Sequence, residues 1–388
     1  MTFPPLAASS ISRADLTIVH WAKYYTPEPG GMESVTQVLA EGAAEAGHAV
    51  TVVCFTRGKG GNTKMQGVQV QRAAHRLAPS SQPLSWAYVK LAWQAARHAD
   101  LVHLHAPNLL GALLATLLSR RVRLLVHWHS DIVGKGMLGR LVKPLERALL
   151  RRADLVVATS PPYAAASPML RAVADKVIAV PLGSPKPCPV TGHPERDFSA
   201  FLGHRRLILS LGRLVPYKGF PVLVQAAAML PDDCAVIIGG TGPLTESLQA
   251  LVLRLGLEQR VLLPGRLSDT ELEVLLRLAT VFCLPSVERS EAFGVVLLEA
   301  MARGVPCVAT RIEGSGTSWV NEDGVSGLNV TPGDVASLTA ALARICADKA
   351  LRARLSDGAQ RRWSQHFTDT GFVRAFNDAY RALARPGR

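Results

Sequence analysis

Residues 288–303 read ERSEAFGVVLLEAMAR, and the rest of the chain can be ordered around them. Glu291 and Glu299 stand eight residues apart, with the small-then-apolar run AFGVVLL between them. Ser290 or Glu291 is the expected N-cap, and Gly304 follows where a helix C-terminus favours glycine. A helix beginning near Phe293 would leave the backbone N–H groups around Gly294 and Val295 unpaired, a ready site for a phosphate or sugar hydroxyl. On one continuous helix, eight residues would separate the two carboxylates by about 12 Å and roughly 80° of rotation. A glycosidase pair needs roughly 5–9.5 Å. The spacing instead suits two groups gripping opposite ends of one extended anionic ligand.

Outward from this stretch the chain alternates short apolar runs with helical periodicity, the pattern of parallel sheets covered by helices. In the first half, strands are expected at Leu16–His20, Val50–Phe55, Leu101–His105, Arg123–His127 and Leu155–Ala158, with a helix over Glu33–Ala46. Residues 181–206, rich in Pro, Gly and charge, read as an interdomain linker. A second series follows, with strands at Leu207–Leu211, Ala235–Ile238, Val261–Leu263, Val281–Leu284 and Cys307–Ala309. Its helices are expected at Phe220–Met229, Leu244–Leu255, Asp269–Ala279 and Val335–Asp348. From Phe367 to Ala384, Phe372, Phe376, Tyr380 and Leu383 recur at helical spacing, so the tail reads as an amphipathic helix.

The 388 residues, 48% hydrophobic, suffice for two cores. No apolar run reaches membrane-spanning length; Leu109–Leu118 reads as a buried helix. The opening MTFPPLAASSISRA lacks the form of a secretory signal. Cysteines 54, 188, 234, 283, 307 and 346 include no C-x-x-C pair, which points to buried thiols in a reducing, cytosolic setting. The net charge of +13 is uneven: residues 1–184 carry twenty Lys/Arg against ten Asp/Glu, the remainder twenty-three against twenty. The first half is therefore expected to face something anionic, or simply to be soluble.

Gly30-Gly31 lies between a strand and a helix, where a backbone can approach a diphosphate, although such turns also need glycine for geometry alone. It is not the G-x-G-x-x-G fingerprint, which argues against a nicotinamide dehydrogenase. Gly212-Arg213-Leu-Val-Pro-Tyr-Lys218-Gly219 would set two cations at the carboxyl end of a parallel strand, where open α/β sheets bind ligands. Arg offers a fork to phosphate oxygens and Lys a movable point charge. His103, His105, His127 and His129 fall in HLHAP and HWHSD, with Asp131 the one close carboxylate. Without zinc spacing no metal is expected; strand-end histidines bonding substrate are, with at least two of the four as core residues. Arg140, Lys143, Arg147 and Arg151 share a helix face with Leu141, Leu145 and Leu149 alongside, fit for an anionic membrane surface or for solvent.

Taken together, GGMES, VHLHAP, HWHSDIV, ATSPPYA, VPLG, LGRLVPYKG, GGTGPL and SEAFGVVLLEAMARGVPCVAT resemble the family 4 retaining glycosyltransferases with the GT-B fold. The wording of RSEAFGVVLLEAMA and HWHSDIV is similar to bacterial mannosyl- and rhamnosyl-type enzymes that extend lipid-linked saccharides for O-antigen or exopolysaccharide. The resemblance implies an α/β fold of two Rossmann-like domains facing each other across a cleft. Residues 1–182 would form the acceptor-binding domain, 183–204 the linker and 205–366 the nucleotide-sugar-binding domain. Residues 367–388 would form a helix returning to the first domain.

By the same resemblance, Arg213 and Lys218 would bind the donor diphosphate, with Gly30 and Gly31 bringing backbone N–H groups close. Glu291 would contact hydroxyls of the donor sugar, backbone at Phe293, Gly294 and Val295 would support sugar and phosphate, and Glu299 would hold the ribose. Gly240 and Arg266 would lie by the base, and His129 at the sugar–acceptor side. The catalytic set would be His129, Glu291, Arg213 and Lys218, with no metal and no cofactor beyond the donor. A GDP-sugar is favoured, a UDP-sugar next. The expected partners are a nucleotide sugar, a lipid-linked saccharide and the anionic inner membrane, approached from the cytoplasm, and not nucleic acid. The alternatives are a sugar-nucleotide epimerase of the same fold and a non-enzymatic basic protein binding lipid or nucleic acid.

Overall fold

The computed structural model describes residues 16–28, 30–79, 82–131, 136–187 and 194–384, without the side chains of 136–141. The opening segment before Leu16, Cys188, the middle of the Pro-rich stretch and the Arg140 and Leu141 side chains lie outside the described residues. The chain divides into two units: one runs up to Gly183 and resumes at Asp369, the other is Ser184–Thr368.

The first unit opens with β1 (Thr17–Trp21), α1 (Gly31–Glu45), β2 (Ala49–Thr56), β3 (Gly61–Met65) and β4 (Val68–Ala74). It continues through α2 (Trp86–Ala96), β5 (Leu101–Ala106), α3 (Leu109–Leu117), β6 (Arg123–Trp128) and α4 (Gly136–Arg152). Then come β7 (Leu155–Ala158), α5 (Pro161–Ala166), α6 (Pro168–Arg171) and β8 (Val177–Ala179). The strands form one sheet in the order β3-β4-β2-β1-β5-β6-β7-β8, parallel except for β3 against β4. The β3–β4 hairpin does not stand out in the sequence because β3, GNTKM, is polar and solvent-facing. Its turn signal is Gln66-Gly67, both at positive φ as a two-residue hairpin turn requires. Strand order reverses between β1 and β5, so their carboxyl ends open the crevice where such sheets bind ligands.

The second unit carries α7 (Ser199–Leu202), β9 (Arg206–Leu211), α8 (Phe220–Met229), β10 (Cys234–Gly239), α9 (Thr245–Arg254) and β11 (Val261–Gly265). It goes on with α10 (Asp269–Leu278), β12 (Ala279–Leu284), α11 (Val295–Ala302), β13 (Cys307–Thr310), α12 (Thr317–Val320) and β14 (Gly327–Val330). Helices α13 (Val335–Ala347) and α14 (Lys349–His366) close it, and α15 (Asp369–Ala384) belongs to the first unit. The sheet order β11-β10-β9-β12-β13-β14 is parallel throughout and reverses between β9 and β12. Phe220, Leu223 and Val224 of α8 pack with Leu338, Leu342 and Ile345 of α13 over Ile208 and Val236.

Within the Pro-rich stretch, the Arg196 guanidinium holds both carboxylate oxygens of Glu271, at 2.6 and 2.7 Å. It also donates to the carbonyls of Pro264 and Arg266. The charge there thus docks residues 196–202 onto the second unit. Helix α14 escapes the sequence reading because its run RARLSDGAQRRWSQH is mostly polar, with Leu351, Leu355, Ala359 and Trp363 buried.

Candidate active site

The carboxyl ends of β9, β10, β11 and β12 gather Arg213, Gly240, Arg266 and the loop from Ser286 to Gly294 at one edge of the second sheet. The chain passes there so closely that side chains are excluded. Gly240 has φ 134°, and an added Cβ would fall inside the Gly212 carbonyl. Gly219, at φ 68°, backs onto the Pro285 carbonyl in the same way. At both positions backbone packs against backbone, which only glycine at positive φ permits.

Lys218 and Glu291, 73 residues apart in sequence, form a buried ion pair there, Nζ to Oε2 at 2.5 Å. Ser286 Oγ donates to the same oxygen at 3.0 Å. Thr310 Oγ1 bonds the Ser286 carbonyl and Ser315 Oγ the Glu291 carbonyl, pinning the loop from the β13 side. Ser286, Thr310 and Ser315 belong to the arrangement but have no sequence signal beyond their positions after strands. Lys218 keeps further N–H donors for a phosphate beyond the one that meets Glu291. Arg213 is exposed, and among the described residues its guanidinium carries no ion pair.

The expected helix start is corrected. Neither Ser290 nor Glu291 caps it: α11 begins at Val295 behind Gly294, which is left-handed at φ 84° with no side-chain cap. A Cβ on Gly294 would press on Leu284 and Leu297, and its left-handed φ is one that glycine adopts without strain. Glu291 therefore sits on a loop, and the helical estimate of its distance from Glu299 does not apply. Gly304 does end the helix, at φ 68°. Glu299 lies on α11, and burial pushes its carboxyl up to about 6. The uncapped N–H groups of the first turn of α11 and the partial positive charge there favour an anion.

In the first unit, Gly30 and Gly31 stand at the start of α1, after the β1 loop. A Cβ on Gly30 would collide with the Glu33 carboxylate, whereas one on Gly31 would meet nothing within 4 Å. His129 follows β6 at the same carboxyl edge, yet it belongs to a buried set of five imidazoles that also includes His20, His103, His105 and His127. Sheet register aligns His20 with His103 and His105 with His127, and alternation puts them on one face.

His105 links the set, its Nε2 3.1 Å from His20 Nδ1 and its Nδ1 3.2 Å from His129 Nε2. Phe376 of α15 stacks on His103 at 5.3 Å, and the Tyr380 hydroxyl lies 2.7 Å from His103 Nδ1. Burial lowers His20 and His129 to about 3. It holds the other three well below the usual histidine range, with the neighbouring imidazoles adding to it. Two triads, His20–His103–His105 and His105–His127–His129, place ring nitrogens within 4.8 Å of one another and are the groups able to take a metal among the described residues. Asp131 stands apart from both, bonded by Trp128 Nε1 and Ser167 Oγ.

On α4, Lys143, Arg147 and Arg151 are exposed, as an outward basic face requires, while Glu146 is buried and pushed up to about 7, first by that burial and then by Asp131. No helix among the described residues is long and apolar enough to cross a membrane.

Residues 194–362 match the family Glycosyl transferases group 1, and residues 30–183 match the Glycosyl transferase 4-like domain. The chain is 30% identical to the O-antigen chain mannosyltransferase C of Escherichia coli, over 95% of this chain and 99% of that protein. It is 32% identical to the D-rhamnosyltransferase WbpZ of Pseudomonas aeruginosa, over 91% and 92%. Among solved structures, the sucrose-phosphate synthase of Thermosynechococcus elongatus superposes with a TM-score of 0.79 at 23% identity, covering 94% of this chain and 98% of that one. Anabaena HepE in complex with UDP gives 0.75 at 22%, covering 95% and 100%. Two α/β units on largely parallel sheets, matched along nearly the whole chain by glycosyltransferase family models and relatives, place this hexosyltransferase in family 4 of the glycosyltransferases, with the GT-B fold.

Proposed function

We propose that this enzyme transfers a mannosyl or rhamnosyl group, with retention, from a nucleotide sugar to a lipid-linked saccharide during O-antigen or exopolysaccharide assembly. The observation that carries the donor reading is the cluster at the β9/β12 switch point: Arg213, the Lys218–Glu291 pair and the uncapped start of α11 around a glycine-lined edge. Breaking a sugar–phosphate bond develops negative charge on the leaving diphosphate. Arg213, Lys218 and the α11 N-terminus are suited to stabilise that charge by preorganised electrostatics. Glu291 orients sugar hydroxyls, Glu299 takes the ribose, and Gly240 with Arg266 flanks the base. His129, neutral at physiological pH, acts as a hydrogen-bonding partner on the acceptor side rather than as a proton donor. We assign no nucleophile; the donor phosphate helps deprotonate the acceptor in front-face transfer. Gly30 and Gly31, at the start of α1, are the backbone positions of the first unit proposed to meet a phosphate, and no metal is required.

The named relatives support the sugar class and the O-antigen setting, since they are an O-antigen chain mannosyltransferase and a D-rhamnosyltransferase. Free, buried thiols at the five described cysteines support a cytoplasmic setting, and the basic first unit supports residence at the inner membrane face.

A thermal-shift screen against GDP-, UDP- and dTDP-sugars tests the donor, because a ligand that binds only the folded state raises its midpoint. A GDP-sugar should give the largest shift; no shift with any nucleotide sugar overturns the reading. Release of nucleotide without a glycosylated product would instead favour the epimerase alternative. The anomeric coupling in the product's proton spectrum tests retention, and an inverted product refutes it.

A further inference from the structure

Helices α2, α3 and α4 pack side by side on the first sheet, and their outward surface has an unusual composition. On α2, Trp86, Lys90, Trp93 and Arg97 recur at i, i+4, i+7 and i+11, one stripe along the helix, and all four are exposed, Trp86 by 81%. The opposite stripe, Tyr88, Ala92 and Ala96, is the buried one, so core packing does not explain the tryptophans. On the neighbouring α3, Leu113 and Leu117 are exposed at i, i+4 spacing, followed by exposed Arg120 and Arg121. Helices α2 and α3 carry no carboxylate, and the one on α4, Glu146, is buried.

We propose that this face docks on an anionic phospholipid bilayer, Trp86 and Trp93 entering the interface with Leu113 and Leu117, and the flanking lysines and arginines meeting headgroup phosphates. Tryptophan belongs at the boundary between apolar and wet layers, where its ring is half-solvated, and basic side chains add attraction to anionic lipid. A second copy of the chain is a poor occupant. A two-fold contact through this patch would set Lys90 and Arg97 against their own kind. Nucleic acid would use the cations and could stack on tryptophan, but it leaves the exposed leucines without a partner. The surface moves the principal membrane contact from α4 alone to α2 and α3, with α4 supplying charge. Its purpose rests on the lipid-linked acceptor reading, although its geometry does not.

The test uses the full chain and vesicles of phosphatidylethanolamine with phosphatidylglycerol carrying brominated acyl chains. Bromine should quench part of the wild-type tryptophan emission, and Trp86→Ser with Trp93→Ser should abolish that quenching and weaken vesicle retention about tenfold or more. Vesicles of phosphatidylcholine alone should retain the wild type less, and in about 1 M salt a fraction should persist, because apolar contact outlasts screened charge. The proposal is overturned if wild-type emission is unquenched, if the double variant is retained like the wild type, or if the protein prefers duplex DNA to the anionic vesicles. Both substituted side chains are exposed, so the variant should keep its circular dichroism and its midpoint shift with a GDP-sugar. Loss of vesicle retention with that shift intact bears on the surface; absence of the shift with retention intact bears on the donor reading.

Discussion

Acidification should unfold the first unit before the second, and the cause is the set of five buried imidazoles. In the folded state all five are neutral well below the ordinary histidine value of 6.5. Unfolded, each takes up a proton as the pH falls through that value. The unfolded state therefore binds more protons between about pH 6.5 and the depressed native values. Stability from this source is complete above that window and is lost as pH falls through it. At pH 5.5 each histidine contributes a loss of about 1.4 kcal/mol, or about 7 kcal/mol for the five. Glu146 works in the opposite direction, because its carboxyl is raised to about 7 and gains its proton earlier in the folded state; it offsets at most about 2 kcal/mol. The net loss, about 5 kcal/mol, compares with a total stability of roughly 5–15 kcal/mol for a domain. Urea denaturation followed by hydrogen exchange at pH 8, 6.5 and 5.5 would resolve the two units. Peptides of β1, β5 and β6 should lose protection by pH 5.5, while β9, β10 and β12 keep theirs. His127→Phe should reduce the slope by about one proton. Equal behaviour of both units, or a flat profile in the first, would refute the argument.

Removal of Lys218 tests two roles at once. Lys218→Ala should cut turnover about 100- to 1,000-fold and, by leaving Glu291 buried without its partner, cost about 3–5 kcal/mol. Adding Glu291→Gln should recover stability in denaturation without recovering turnover. Arg213→Ala, at an exposed site, should match the loss in turnover while leaving the melting midpoint unchanged, and normal activity would remove the phosphate assignment. If the Glu299 carboxylate accepts the ribose hydroxyls, donor affinity by calorimetry should fall about twofold between pH 7.5 and 6 as that group protonates. Glu299→Gln should flatten this dependence. Gly240→Ala should disrupt the edge around Gly212 and abolish donor binding, at a stability cost of about 2 kcal/mol or more.

Much of the fold was legible because strand and helix are local matters. The runs LTIVH and LILSL carry β-branched and apolar side chains that suit buried parallel strands. Phe220–Met229 shows its helix by Pro221 at the first turn and by its apolar spacing. Where the apolar pattern is thin, as in β3 and α14, no local signal marks the element; β3 is held by pairing with β4 and α14 by packing against α11. The residues gathered at the carboxyl ends of β9 and β12 were likewise legible as types: two cations after a strand, and two glutamates eight residues apart in one apolar stretch.

What only the tertiary structure decided is who meets whom. No local signal brings Lys218 to Glu291, because their contact depends on β9 and β12 being neighbours at the switch point. No spacing adds His20 to the four histidines of HLHAP and HWHSD; parallel register between β1 and β5 does so, and α15 then seals the set from water. The stretch 288–303 shows the division within a few residues. Its sequence determined an apolar helix ending at Gly304, but placed the start near Phe293 with Ser290 or Glu291 as the cap. The start at Val295 behind a left-handed Gly294, and so the placement of Glu291 on a loop facing Lys218, appears only in the folded chain, where Leu284 and Leu297 leave no room for a Cβ at Gly294.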